Sequence, residues 1–442
     1  MFTRSLAAGA LALGLLATGC AGGTSIGANP NEGATGTGDV TGNIRVSWWG
    51  SGPRNEVTNA VIDLFEAAHA GTKVEGESTD FQAYMERLNV QASSGNLPCV
   101  TQLQGRQLND YTTKNVLLDL QPMIDSGAID VSDIPPEVLD TGRGLDGKLY
   151  MIPYGAAYDA MTVNRTLAEQ SGAGLPAEGY DWAAFAEWLQ RAQPNLPAGI
   201  PAVNLGGKLP NNFIAYVAGR GESLFADRQL GFAEDVLVEY WDMWERLRTA
   251  GVTTTPEANA EEPKQTEQRY VAQGKVLADN LPGNALTPAQ KTLDGAHPGQ
   301  QLVTLPLPSG AAGSGNVLFT SGFSIPTTCD NIPTAAAFVD FWMNDDAGAK
   351  AFLSSNGAVT NSRHLQQQLD DPNLPATKRA ELELYQRIVA KQPVSVLYPP
   401  GYQASFEGAF VRAYESVVFG GTSTRDAAHA FMTEVNAALA TT

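Results

Sequence analysis

Residues 44–55 read IRVSWWGSGPRN, and the reading of this stretch decides the fold. Ile44, Val46 and Trp48 alternate with Arg45 and Ser47, the two-residue period of a strand with distinct faces. Gly50 and Gly52 interrupt the alternation, and Pro53 leads into a segment where Val57, Val61, Leu64, Phe65 and Ala68 share one helical face. The same unit repeats: a strand near 73–77, a helix from about Asp80 with Met85, Leu88 and Ala92 on one side, and a strand near 99–103. Strands alternating with amphipathic helices predict an α/β fold around a mainly parallel sheet. Further strands are predicted at 149–153, 160–163, 275–279, 302–305 and 318–325. Between 182 and 247 the pattern is mostly helical, with Trp182, Phe185 and Leu189 on one face and Leu237, Tyr240, Trp244 and Leu247 on another. Near the end, Phe406, Phe410, Ala413 and Val417 keep helical spacing up to the stop at Gly420 and Gly421. Ser423 or Thr424 then caps a last helix carrying Phe431, Val435 and Leu439.

Upstream of the first strand, residues 21–42 are almost wholly small and polar, a composition that buries too little apolar surface to order itself, and they are expected to act as a tether. Before them, Arg4 and the apolar run 6–16 have the form of a signal peptide over 1–19. The run LATGC ending at Cys20 resembles the bacterial lipobox, with Ala17 where that motif more often has Leu. The resemblance implies that Cys20 carries a lipid and holds the mature chain on the outer face of the cell membrane. An ordinary secretory signal is the other reading, and both place the protein outside the cytoplasm. The formal charge of −19 becomes −20 once Arg4 is removed, and no basic cluster interrupts it. Such a field repels phosphate backbones, so nucleic acid is not an expected partner. Cys99 and Cys329 are the two thiols left, and an oxidising compartment favours joining them.

Several segments, in this order, resemble the family 1 extracellular solute-binding proteins of bacterial ABC importers, which bind sugars. They are IRVSWWGSGPRN at 44–55, ASSGNLPCV at 92–100, LLDL at 117–120, GKLYMIPYG at 147–155, GKVLADN at 274–280, SGFSIP at 321–326 and AAAFVDFWM at 335–343. Two departures stand out. Cys99 stands where the family usually has Asp after Pro98, and Cys329 lies just beyond the segment 321–326; this paired departure supports a bridge, two buried reduced cysteines being the other reading. The family's Trp after its return strand is replaced by the run from Asn280 to Asn284. The resemblance implies a two-lobed periplasmic-binding-protein-like fold with three interlobe crossings, expected near Tyr154, Leu281 and Gly322, where Gly or Pro interrupts a strand pattern. Lobe 1 would span 43–154 plus 281–322, lobe 2 155–280 plus 323–442, and 20–42 the lipidated cysteine and tether.

A sugar offers apolar C–H faces and a rim of hydroxyls, so its site needs flat rings and fixed polar groups. Trp48 and Trp49 point to opposite sides of a strand, so one of them at most faces the cleft. Ser51 and Arg54 follow in the loop, where the guanidinium either donates to hydroxyls or is a solvated charge. Asp80 and Phe81 open the second helix; Asp80 reads equally as its N-cap. Gln102 and Gln104 end a strand on one side. Tyr154, Tyr158 and Asp159 flank the first expected crossing, with core packing the other reading of Tyr154. Asn280, Asn284 and Ser321 border the cleft, and Tyr398 and Tyr402 bracket a rigid Pro-Pro-Gly turn. Trp182, Trp241 and Trp244 fit core packing, Trp182 being the one also weighed as a site residue.

Catalysis lacks a recognisable constellation. His69, His297, His364 and His429 are scattered, and there is no zinc-site spacing and no phosphate-binding glycine loop, so neither metal nor cofactor is expected. The expected function is therefore a monomeric binding lipoprotein that captures a carbohydrate by hinge closure and hands it to an importer permease. A secreted two-carboxylate glycoside hydrolase, and a binder of glycerol phosphodiesters on the same fold, are the alternatives.

Overall fold

The computed structural model describes residue 29 and residues 31–50, 52–393 and 395–441. The signal run, Cys20 and Ser51 lie outside the described residues. No described helix is long and apolar enough to cross a membrane.

Among the described residues ten strands are present in chain order: β1 (Gly42–Trp49), β2 (Thr72–Thr79), β3 (Val100–Gln104), β4 (Ile152–Asn164), β5 (Phe225–Ala226), β6 (Gln229–Leu230), β7 (Ala278–Pro282), β8 (Leu302–Pro306), β9 (Leu318–Ser324) and β10 (Ala358–Val359). The first of these realise the pattern of residues 44–55. β1 pairs in parallel with β2 on one side and β3 on the other, and the helices Gly52–Ala68 and Phe81–Ser94 connect them. Asp80 caps the second helix, its Oδ1 accepting from Ala83 N at 3.1 Å. The sheet continues antiparallel, in the order β10-β4-β9-β3-β1-β2, so the expectation of a mainly parallel sheet holds only for β1 to β3. The chain returns from the other lobe through β9, which runs back against β3 and β4 and reverses the direction.

β4 is the organising element. Residues 149–153 and 160–163, read separately in the sequence, belong to one path through a thirteen-residue strand. Ile152 to Tyr158 pair with β9, whereas Asp159 to Val163 pair with β7 and Ala160 to Asn164 with β8. The strand thus leaves one lobe at Tyr158 and enters the other at Asp159. Gly155, which reads as a break, is there for close approach: a Cβ would lie 2.3 Å from Asn356 O beside β10.

Each lobe has its own core. In the first, Ile44, Val46, Phe65, Phe323, Phe338, Trp342 and Tyr385 are buried together. In the second, Val163, Trp182, Phe185, Phe213, Trp241, Phe410 and Phe431 are, with Trp241 Nε1 donating to Gly207 O at 3.0 Å. Burying each of these large side chains stabilises the fold by about 1.5–3 kcal/mol.

This grouping corrects the expected boundaries. Leu281 is no crossing: it sits inside β7, paired with Ala160, and the helix Leu286–Ala296 returns the chain to β8 on the same half of β4. Gly322 lies within β9, between β3 and β4. The helices Ile332–Asn344 and Ala376–Val389 pack in the first core, not the second. The three passages are therefore at 158–159, at 317–318 and between 390 and 396. The end of the expected tether is also docked. Asn31 Nδ2 donates to Thr327 O and Cys329 O at 2.8 and 3.0 Å, Ser126 Oγ donates to Thr35 O, and Thr41 N donates to Thr334 Oγ1. Small residues suit this segment because Gly36 lies against Ala336 and Ala128, leaving no room for larger side chains.

Candidate binding site between the lobes

The turn after β3 carries the key side chain. Gln107 N donates to Gln104 O, closing a tight turn that projects Arg106 from the carboxyl end of the first lobe's parallel strands. Loops at such strand ends are where open α/β sheets bind ligands. The Arg106 guanidinium carbon lies over the Phe319 ring, 3.9 Å from its centroid, and the group reaches across to the second lobe. Its Nη1 donates to Glu407 Oε1 at 2.9 Å and its Nη2 to Asn211 Oδ1 at 3.0 Å. Two further contacts join the same faces: Asn109 Nδ2 donates to Tyr398 O at 2.8 Å, and Gly401 N to Asp110 Oδ1 at 2.6 Å. Burial works against the charge on Arg106, and Tyr398, Tyr402, Glu407 and Asp159 around it outweigh that effect.

Beside this bridge is a cavity of about 620 Å³, within the range of small-molecule sites. Arg106 is the first lobe's contribution to its wall. The second lobe supplies Asp159, Asn211, Arg269, Asn280 and Glu407 among others. No aromatic ring lines it among the described residues. Arg269 is held by Glu262 at 2.6 Å and by Asp279 at 3.0 Å. Burial raises the pKa of Asp279, against the pull of Arg269.

Asp159 is 8% exposed, and its Oδ2 has no hydrogen-bond partner among the described residues. Burial lifts its pKa from 3.8 to about 6; Arg106, Asn211 and Arg269 pull it down, and Glu407 pushes it up. Its backbone is fixed by the β4 ladder and by Asn316 Nδ2, which donates to Asp159 O at 2.9 Å. At the preceding residue, Gly283 N donates to Tyr158 O, and Gly283 touches the Tyr158 ring so closely that a Cβ would lie 2.1 Å away. Close contacts thus hold the backbone of the strand where it delivers this carboxylate.

Of the residues singled out in the sequence, Asp159 and Asn280 line the cavity. Asn280 Nδ2 also donates to Asn212 Oδ1. Tyr398 and Tyr402 are adjacent but buried, at 3% and 1% exposure, with Tyr402 stacked on Phe406; neither hydroxyl has a partner among the described residues. The rest are placed elsewhere. Trp48 is core, its Nε1 donating to Asn55 Oδ1, and Trp49 packs edge-on against Phe81 and Tyr84, so neither tryptophan faces the cleft. Gln102 is buried structurally, its Oε1 accepting from Trp49 N and its Nε2 donating to Tyr154. Tyr154 sits among Phe323, Trp342 and Phe352, and Tyr158 donates to Glu381 O. Arg54 donates to Ser355 O within the first lobe, and burial lowers its pKa. Gln104 and Ser321 face one another in the β3–β9 ladder; Trp182 packs on Phe185, Tyr216 and Tyr240, and Asn284 and Asp80 are exposed. Sequence reasoning missed Arg106, Asn211, Arg269 and Glu407. Arg106 carried a faint signal, two residues beyond Gln104 at a predicted strand end.

Cys99 Sγ, just before β3, and Cys329 Sγ, in the segment that follows β9, lie 2.18 Å apart, with Cα atoms at 4.7 Å, a distance that suits a bridge.

These features define a two-lobed binding protein, and the chain belongs to the bacterial extracellular solute-binding protein family, whose sequence pattern matches residues 60–376. It is a solute-binding protein of the ABC-importer kind, acting outside the cytoplasm. Solved structures share the fold. An extracellular solute-binding protein family 1 member from Alicyclobacillus acidocaldarius is 24% identical, with a TM-score of 0.73 over 91% of this chain and 100% of that one. A periplasmic oligogalacturonide-binding protein from Yersinia enterocolitica is 18% identical, with a TM-score of 0.75 over 90% and 99%. The GacH receptor of Streptomyces glaucescens, solved unliganded and with acarbose, is 17% identical, with a TM-score of 0.71 over 90% and 99%.

Proposed function

We propose that this protein captures a carbohydrate, most suitably an oligosaccharide, in the interlobe cavity and delivers it to the permease of an ABC importer, without chemical change to the ligand. The observation that carries the reading is the convergence of Arg106 from one lobe and Asp159, Asn211, Asn280 and Glu407 from the other on one cavity beside the hinge strand. Such an arrangement makes closure ligand-dependent, because a guest touching both lobes binds the closed form more tightly and shifts the population toward it. The similarity to proteins that bind oligogalacturonide and acarbose supports a saccharide guest. The chain works as a monomer anchored through a lipid on Cys20, with the Cys99–Cys329 bridge formed in its oxidising compartment. The site residues are the cavity-lining set named above, with the Tyr398 and Tyr402 rings behind it.

Calorimetry and thermal shift against a panel of mono- and oligosaccharides test the reading. Saturable binding with a ligand-dependent rise in melting temperature, and no product after prolonged incubation, is the expected result. Hydrolysis of a bound saccharide would replace it with a glycosidase. Labelling with a radioactive fatty acid that fails on Cys20→Ser, and a count of zero free thiols in the denatured unreduced protein, are the expected signs of the anchor and the bridge.

A further inference from the structure

We infer that Asp159 is the specificity-determining residue of the cleft, and that it selects a non-anionic saccharide by accepting hydrogen bonds from the ligand's hydroxyl or amino groups. This rests on the carbohydrate-binding reading and narrows it.

Among the described residues, the two guanidinium groups that line the cavity are already engaged. Arg106 is paired with Glu407 and accepted by Asn211, and Arg269 lies between Glu262 and Asp279. An incoming carboxylate or phosphate therefore finds both lining guanidinium groups already paired, and these two cations stand against the carboxylates of Asp159, Glu262 and Glu407, with Asp279 held toward its protonated form by burial. In a site of low dielectric such an excess repels an anion strongly.

Asp159 is the opposite case. Asn211 supplies a hydrogen bond to the carboxylate, and the Oδ2 left buried without a donor is costly, because it has lost water and gained nothing in return. A ligand that donates to it removes that cost. Asp159 lines the cavity, and its backbone is held in the β4 ladder at the point where the strand changes lobe. A sugar offers neighbouring hydroxyls able to donate to both carboxylate oxygens, and an amino sugar adds a charge that the acidic surroundings favour.

Hydrogen bonds to the ionised carboxylate make binding depend on pH in a defined direction. The charged and titratable groups that bear on Asp159 are Arg106 from the turn after β3, Arg269 ahead of β7, Glu407 from the turn before the helix Gly408–Val418, and the Tyr398 hydroxyl, whose pKa burial raises well above the range of the titration. Asn211, on the helix Pro210–Gly219, lies beside it, while Asp279 and Glu262 stand behind Arg269. A donor ligand binds the ionised form of Asp159, so affinity is full above about pH 6 and declines as pH falls below it.

The test is titration calorimetry on the full mature chain with matched neutral, amino and uronic-acid oligosaccharides, from pH 4.5 to 8, for the native protein and Asp159→Asn. The inference expects neutral or amino saccharides to bind at least tenfold tighter than their uronic counterparts at pH 7. It also expects native affinity to weaken toward tenfold per pH unit below about 6, and Asp159→Asn to lose about 10- to 100-fold with a flattened pH profile, the worth of a charge-assisted hydrogen bond. Amino forms ahead of neutral ones would identify the donor as an ammonium, and equal affinities would identify it as hydroxyl; either supports the inference. Uronic saccharides binding tightest, or a pH profile of the native protein that does not weaken on acidification, overturns it while leaving carbohydrate binding intact. The native-protein arms stand even if the variant misfolds. No binding of any saccharide defeats the parent reading and the inference with it.

Discussion

The second lobe's core and the interlobe cavity lie only a few residues apart in sequence, yet they are built from opposite materials. Trp241, Phe410, Phe431, Phe406 and Tyr402 form a continuous aromatic cluster, while the cavity next to it sets ion pairs and amides beside Leu209, Pro210, Pro282 and Val411, with no ring on its surface among the described residues. The contrast teaches that aromatic richness in this chain marks rigidity, and that recognition is left to a few polar groups held stiff by that rigidity. A stiff lobe is what allows an orphaned carboxylate to persist, because the surrounding packing prevents relaxation around it.

The largest effect that sharpens the contrast is expected in the core. Trp241→Ala removes a fully buried ring and its hydrogen bond to Gly207, and should cost about 3–5 kcal/mol of stability by urea unfolding while the folded fraction keeps its ligand affinity. A comparable loss of affinity in the folded fraction would break the distinction between core and site.

Asp159→Asn is expected to act with the reverse sign on stability. The carboxyl is protonated in both folded and unfolded states below about pH 3.8, so its burial has no charge penalty there; the penalty grows as pH rises and is complete above about pH 6. The variant should therefore gain up to about 3 kcal/mol at pH 7 and nothing at pH 3.5, read from melting curves at both pH values. Equal gains at both would mean that the buried charge is not the cause.

Much of the fold was legible, and the unread parts have physical reasons. Alternation in Ile44, Val46 and Trp48 located β1, and the caps Asp80 and Ser423 located two helix starts, with Asp426 N donating to Ser423 Oγ at 3.0 Å. Such signals are local. The passages between lobes were misplaced because glycines at 155 and 322 were read as bends, whereas both serve close approach of backbones inside the sheet. Among candidate site residues, Asp159 and Asn280 lie on the cavity wall, but Trp48, Tyr154 and Gln102 are spoken for by neighbours that only the tertiary fold supplies. Arg106 acquires its meaning from Glu407, Asn211 and Phe319, between 105 and 301 residues away in the chain for the two hydrogen-bonded partners. No periodicity reports such a meeting.

Smaller effects probe the boundary between the two regions. Arg106→Gln leaves Glu407 without its partner at a pair that is largely buried between the lobes, so it should weaken ligand binding by about 1–2 kcal/mol, roughly 5- to 30-fold, more than it lowers the stability of either lobe's core. A stability loss with unchanged affinity would assign Arg106 to the scaffold. Smallest of all, Tyr402→Phe removes a buried hydroxyl that lacks a partner, and should leave stability unchanged or raise it by under about 1 kcal/mol. A drop in affinity for that variant would bring the Tyr402 hydroxyl into the site after all.

The central claim is that the lobes close on a guest held between them. Spin or fluorescent labels at the exposed positions Val90, in the first lobe, and Phe419, in the second, report the interlobe distance in one measurement. Saturation with a calorimetrically confirmed saccharide should collapse a broad distribution to a single shorter distance, and the same shift should weaken in Arg106→Gln. A distribution unmoved by a bound saccharide would contradict the account.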